Sequence, residues 1–168
     1  MYRVGIGYDI HRFALGRKLF IGGVRIPFKK GLRGHSDADV LVHAVCDALL
    51  GALGSGDIGE HFPNTDARFR GISSLKLLKV VSDLLRDKGA RVVNIDTMVV
   101  MEAPKIGRYK EKMKAGMAKI LGTEKSRVSV KATTNEGTGM IGKGEAAAAY
   151  AAVLLEIRRL TGGKRRLG

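Results

Sequence analysis

Apolar and polar positions along the chain change period several times, and each change marks an element. Residues 2–12 alternate with a period of two. Tyr2, Val4, Ile6, Tyr8 and Ile10 fall on one side, and Arg3, Gly5, Gly7, Asp9 and His11 on the other, the pattern of a β-strand. The apolar side is expected to meet the core, and the glycines opposite leave room for a close backbone approach. Between Lys18 and Phe28, Gly22-Gly23 separates two short apolar runs, a hairpin signal. From about 37 to 53 the period becomes helical: Val40, Leu41, Ala44, Val45, Ala48, Leu49, Ala52 and Leu53 form one stripe. Ser36 followed by Asp39 reads as a capping pattern at its entrance, and Gly54-Ser55-Gly56 stops it. His43 sits one step off the stripe. Residues 57–71 are rich in turn formers and acids, carry His61, and read as a functional loop or lid.

A second helix is expected over 73–88, with Leu75, Leu78, Val81, Leu84 and Leu85 inward and Gly89 at its end. Residues 91–101 are rich in β-branched side chains and read as a strand. Pro104 and Gly107 break the chain before a helix over 108–121. Residues 127–133 alternate again as a strand. After a glycine-rich loop, the alanine-rich segment 145–160 reads as a helix. The order β, hairpin, α, α, β, α, β, α predicts an α/β fold, a mixed sheet with helices mainly on one face.

Composition adds limits. A chain of 168 residues fits one domain, expected over 1–161, and buries enough to need no disulfide. Residues 162–168, with Lys164-Arg165-Arg166 after Gly162-Gly163, read as a basic, disordered tail. The single cysteine, Cys46, suits a reducing compartment and reads as a buried, inert thiol. There is no apolar leader and no run near the ~20 residues of a membrane span, so a soluble cytoplasmic protein is expected. The formal charge of +14 favours anionic partners. A basic RNA-binding module is the alternative from another class. The absence of Trp and the scattering of the basic residues weaken it.

Candidate chemistry gathers in a few places. Asp9 and His11, at i and i+2, share one face of a strand, and His43 comes from a helix. Two imidazoles and a carboxylate suit Zn²⁺ and leave a coordination position open. The spacing matches no short zinc pattern, and an isolated D-x-H is more often an ordinary surface pair than a ligand set. His35 and Ser36 precede the helix, where backbone N–H groups and the macrodipole favour an anion; a turn residue and a cap are the plain readings. The loop from Thr133 to Gly144 contains a P-loop-like run, Gly137 to Lys143, without the final hydroxyl residue. It also contains a G-x-G-x-x-G run with no acidic strand to follow. Both are rejected as families. The loop's free N–H groups and Lys143 can still cradle phosphate, and Glu136 can hold Mg²⁺ through one. The irregular turn from Met101 to Gly107 can meet a flat heterocycle through its backbone, or be an ordinary loop.

Taken together the motifs are more specific. Asp9-x-His11, Gly34-His35-Ser36-Asp37-x-Asp39-Val40 with His43, Gly56-Asp57-Ile58-Gly59, Phe62-Pro63-x-Thr65-Asp66, Ala103-Pro104-Lys105, Lys131-Ala132-Thr133-Thr134-x-Glu136 and Gly142-x-Gly144-Glu145 occur in this order. Between about 2 and 160 the chain resembles the 2-C-methyl-D-erythritol 2,4-cyclodiphosphate synthases of non-mevalonate isoprenoid synthesis. The resemblance implies a homotrimer around a central cavity, with active sites between neighbours, and no nucleic-acid or membrane partner. It implies Zn²⁺ on Asp9, His11 and His43, and Mg²⁺ or Mn²⁺ through Glu136. It implies a phosphorus–oxygen lyase in which a substrate phosphate is the nucleophile and CMP leaves.

By the same resemblance His35 and Thr134 stabilise the transition state, and His35 and Ser36 contact phosphate alongside Asp9 and His11. Asp57, Ile58 and Gly59 face the erythritol. Phe62, Pro63, Asn64, Thr65 and Asp66 close over the substrate. Met101, Glu102, Ala103, Pro104, Lys105, Ile106 and Gly107 receive the cytosine, and Thr133, Thr134, Asn135 and Glu136 the diphosphate. Met140 and Lys143 stand where the family commonly has an aromatic residue and an arginine. Asn64 stands where it commonly has an aspartate.

Overall fold

The computed structural model describes residues 1–158. The strands β1 (Tyr2–Leu15), β2 (Leu19–Ile21), β3 (Val24–Ile26) and β4 (Lys30–Leu32) come first. The helices α1 (Val40–Leu53), α2 (Ile58–His61) and α3 (Ser74–Asp87) follow, then β5 (Ala90–Val100), α4 (Lys110–Leu121), β6 (Val128–Thr133), α5 (Gly139–Gly142) and β7 (Ala146–Ile157). A five-stranded sheet has the order β4-β1-β7-β5-β6, and β2 and β3 form the expected hairpin beside it. β5 and β6 run parallel and the other pairs antiparallel, so the sheet is mixed. The expectation of an α/β fold with a mixed sheet holds.

Two expectations about the strands fail. The segment expected as an alanine-rich helix over 145–160 is β7, paired along its length with β1 on one side and β5 on the other; residues 159–160 lie outside the described residues. Alanine's helical preference is a small local term, and ladder bonds on both edges override it. Alanine serves here because a helix crosses the strand closely: Ala147, Ala149 and Ala151 are buried.

The second failure concerns β1. Its apolar side does not meet the core: Tyr2, Val4, Ile6, Tyr8 and Ile10 are all exposed, Ile6 at 78%. The core lies on the glycine side. A Cβ on Gly5 would overlap the Ala48 carbonyl oxygen, and one on Gly7 the Ala44 carbonyl oxygen. α1 therefore rests backbone to backbone on β1.

Burial of α1 exceeds a single stripe. Val42, Cys46 and Leu50, away from the predicted stripe, are also fully buried, so the helix is central rather than peripheral. Its N-cap is Asp39 rather than Ser36, and helix begins at Val40 rather than 37. The wholly buried Asp39 carboxylate accepts from Leu41 and Val42 N–H (3.2 and 3.1 Å) and from Gly22 and Gly23 N–H (2.8 and 2.6 Å). The cap thus ties the hairpin to the helix start. Ser36 Oγ instead accepts from Ala38 N–H at 3.1 Å. No described helix is long and apolar enough to cross a membrane.

Candidate active site

β1 carries Asp9 and His11 two and four residues beyond Gly7, on the face turned to α1. α1 carries His43 immediately before Ala44, whose carbonyl lies over Gly7. The close helix–strand contact brings the three side chains together. His43 Nδ1 lies 2.9 Å from Asp9 Oδ2 and 3.4 Å from His11 Nε2, and His11 Nε2 lies 3.1 Å from Asp9 Oδ2. The ligand atoms of all three fall within 4.8 Å of one another. This donor set, two ring nitrogens and one carboxylate oxygen converging at a cavity wall, fits a divalent metal with a coordination position left open. Burial opposes the charge on Asp9, but hydrogen bonds and charge from His11 and His43 outweigh it and hold the carboxyl below the usual range. Burial likewise pushes His43 down, and the hydrogen bond and charge of Asp9 overcome that and raise it.

The cluster opens on a cavity of about 210 Å³. Its walls include His35 and Ser36, Ile58 and Gly59 from α2, and Phe62, Asn64 and Phe69 from the following loop. His35 Nε2 donates to the Asp66 carbonyl at 3.2 Å, which leaves Nδ1 without the proton in the neutral ring. The loop holds its own shape. Phe62 packs edge-on against Phe69, and the Asp66 carboxylate accepts from Arg68 N–H at 2.9 Å. Pro63, Asn64 and Thr65 form an exposed turn between them. The exposed Asp57 does not line the cavity; its Oδ1 accepts from Glu60 N–H at 3.0 Å and caps α2. His61 Nε2 donates to the Ser55 carbonyl, 2.7 Å, and does not line the cavity either.

A second group of expected site residues gathers elsewhere. Met101–Gly107 and Thr133–Glu136 follow the ends of the parallel strands β5 and β6. Met101 N–H donates to the Thr133 carbonyl (3.0 Å), and Asn135 N–H to Glu102 (2.8 Å). Met101 and Ile106 are buried, whereas Ala103, Lys105 and Gly107 are exposed around Pro104. The Thr134 hydroxyl donates to the exposed Glu136 carboxylate. None of these residues lines the metal-side cavity. Asp9 and Ala132 occupy one register row, three strand spacings apart through Ala149 and Val99, a separation of about 14 Å. Met140, on α5, is 43% exposed, and its sulfur accepts from Arg12 Nη2 at 3.4 Å; Lys143 is exposed. The glycine-rich loop leads through α5 into a strand and builds no nucleotide-binding βαβ unit.

Three contributors escaped the sequence reading. Ser74, the first residue of α3, places Oγ 2.8 Å from His43 Nε2. Asp47 accepts from Ile58 N–H at 2.7 Å and fixes the start of α2. Arg17 donates to the Ser36 carbonyl at 2.8 Å. Asp47 follows His43 by one helical turn, a spacing that marks it as sharing that edge of α1. Nothing in the sequence marks Ser74 or Arg17.

Comparison with known proteins agrees with the motifs. The YgbB family matches residues 2–156. A 2-C-methyl-D-erythritol 2,4-cyclodiphosphate synthase of Desulfosudis oleivorans is 60% identical over 153 residues, covering 91% of this chain and 91% of that protein. One of Geobacillus kaustophilus is 54% identical, covering 93% and 99%. Among solved structures, the bifunctional IspDF of Campylobacter jejuni superposes with a TM-score of 0.90 at 41% identity. It covers 94% of this chain, which spans 43% of that longer one. The IspF of Plasmodium falciparum in complex with CDP gives 0.82 at 33% identity, covering 94% and 97%.

Proposed function

The chain belongs to the YgbB family and converts 4-diphosphocytidyl-2-C-methyl-D-erythritol 2-phosphate to 2-C-methyl-D-erythritol 2,4-cyclodiphosphate and CMP, and we propose that it does so with Asp9, His11 and His43 holding Zn²⁺ at a site shared between identical subunits. The observation that carries this reading is the convergence of three ligand atoms beside His35 and Ser36.

The reaction is internal to the substrate. A 2-phosphate oxygen forms a bond to the β-phosphorus, and the bond from that phosphorus to the CMP oxygen breaks, with CMP keeping the electron pair. The protein supplies no nucleophile, so its work is positioning and charge stabilisation. Zn²⁺, when bound, acts as a Lewis acid and template. His35 and Ser36, on the cavity wall, contact the phosphate beside it. Gly59 and Ile58 face the erythritol, and the Phe62–Asp66 turn covers it. Asp57 reaches the sugar only by giving up its cap on α2. Thr134 and Glu136 serve the diphosphate, Glu136 with Mg²⁺ or Mn²⁺, and the 101–107 turn receives the cytosine.

Two observations support sharing between subunits. The cytosine and diphosphate groups do not line the metal-side cavity, and the apolar side of β1, with Tyr150 beside it, is left open. A homotrimer with these faces inward would set one chain's 101–107 and 133–136 against its neighbour's cavity. It would also enclose the axial cavity beside Met140 and Lys143.

The test is CMP release from the cytidylyl substrate. Chelation should stop it, and Zn²⁺ with Mg²⁺ should restore it. His43→Ala should lose the bound zinc as measured by metal analysis. Unchanged zinc content in that variant would refute the ligand set.

A further inference from the structure

We propose that Ser74 and Asp37 are positioning residues for the metal site: a one-way hydrogen-bond chain from His43 Nε2 through Ser74 Oγ to Asp37 fixes which ring nitrogen His43 offers. This rests on the reading of Asp9, His11 and His43 as metal ligands.

His43 turns Nδ1 toward Asp9 and His11 and Nε2 away from them. A metal held at Nδ1 needs the lone pair there, so the neutral ring must carry its proton on Nε2. Which nitrogen is protonated depends on the partner of the other. A serine hydroxyl alone does not choose, because it donates and accepts equally. Asp37 removes that freedom. Its carboxylate only accepts, and it takes the hydroxyl hydrogen of Ser74. Ser74 Oγ is then an acceptor toward His43 Nε2, 2.8 Å away. Ser36 Oγ is the weaker partner, at 3.2 Å.

The chain is held from outside, and its middle member is closed to water. Ser74 is fully buried, so solvent cannot take its place without repacking. Asp37 Oδ2 also accepts from Ser74 N–H at 3.0 Å, and Asp37 N–H donates to the Ile72 carbonyl at 3.0 Å. Ser73, the N-cap of α3, makes no side-chain cap bond. Asp37 performs that task from the loop before α1. The start of α3 is thereby joined to the orientation of a ring on α1.

The experiment measures the zinc dissociation constant by chelator competition, together with the ¹⁵N shifts of His43 in the zinc-loaded protein. Ser74→Ala should weaken zinc binding by about 10- to 100-fold and move the Nε2 resonance away from its hydrogen-bonded position, with the proton still held on Nε2 by zinc at Nδ1. Ser74→Thr, which keeps the hydroxyl, should restore both. Asp37→Asn, tested in parallel in case Ser74→Ala misfolds, should weaken zinc less than Ser74→Ala does, because its amide oxygen still accepts. Wild-type affinity and shifts in Ser74→Ala overturn the proposal, and so does a threonine variant as poor as alanine. If Ser74→Ala does not fold, wild-type affinity in Asp37→Asn overturns it. His43→Ala separates the two readings: unchanged zinc affinity there refutes the ligand set itself. Loss of zinc there with an unaffected Ser74→Ala refutes only the relay.

Discussion

Asp9 keeps its charge against burial because two imidazoles face it, and His43 keeps its proton against burial because Asp9 faces it. In metal-free protein the pair gives a definite pH dependence. A depressed carboxyl stabilises the fold above its unfolded value, and that contribution fades as pH falls through the folded value. A raised imidazole stabilises below its unfolded value, and that contribution fades as pH rises through the folded value. Both are fully present only between about pH 4 and 6.5. Chelated protein should therefore lose thermal stability as pH rises above about 7, and Asp9→Asn should flatten the change in melts recorded from pH 5 to 8. Zinc binding releases protons and strengthens with pH, so the stabilisation from added zinc should grow over the same range. At this scale the placing of Asp9 and His11 on one strand face was legible, because D-x-H on a strand is a local pattern, while their meeting with His43 was not, because it depends on how α1 packs. Ser74 and Arg17 were not. Each acts through one contact with a residue distant in the chain, and serine and arginine are common in many other roles.

At the scale of elements, the contact between α1 and β1 decides the architecture. Two glycines admit helix carbonyls where any side chain would collide. Gly7→Ala should destabilise the protein by about 3 kcal/mol or more, since the obstructing atom is backbone and cannot turn aside. Urea denaturation measures this, and a change below 1 kcal/mol would mean that the helix lifts freely from the strand. The glycines were read correctly as a close-approach surface. The facing of β1 was not, because alternation reports two different sides without saying which one a helix covers. β7 was misread for a related reason. Its alanines carry a helical preference of a fraction of a kcal/mol per residue, while its conformation is imposed by partners far away in sequence. Helices α1, α3 and α4, the hairpin and strand β6 were legible because their periodicity and their glycine or proline stops are local.

For the whole molecule, the open sheet face is the dominant feature. Ile6, Val4 and Tyr2 are each at least 65% exposed, and the Tyr8 ring packs at a tilt against Tyr150, centroids 4.8 Å apart, beside them. A patch of this kind marks an association surface. Shared sites predict a complementation result. With the site shared as proposed, His43→Ala and Glu136→Ala are each inactive alone and place their lesions on opposite sides of a subunit junction. Randomly mixed trimers should recover about a quarter of wild-type activity, one intact site in each mixed trimer. No recovery, in subunits shown to exchange, would place both residues in a site built by one chain. The sequence showed an apolar strand side but not that it stays exposed on the chain, since an open apolar face carries the same residues as a core. The net charge of +14 suits an anionic substrate. The basic stretch 162–168 lies outside the described residues.

The seating of α1 on Gly5 and Gly7 has a consequence for how the protein can change over generations. Asp9 and His11 continue the strand that bears those glycines, and His43 adjoins the alanine that rests on Gly7. One contact therefore sets both the hold of the main helix and the span between the three candidate metal ligands. Variation there should alter heat tolerance and the geometry of the triad together rather than either alone. A lineage adapting to a hotter or colder habitat must find its substitutions elsewhere along the chain.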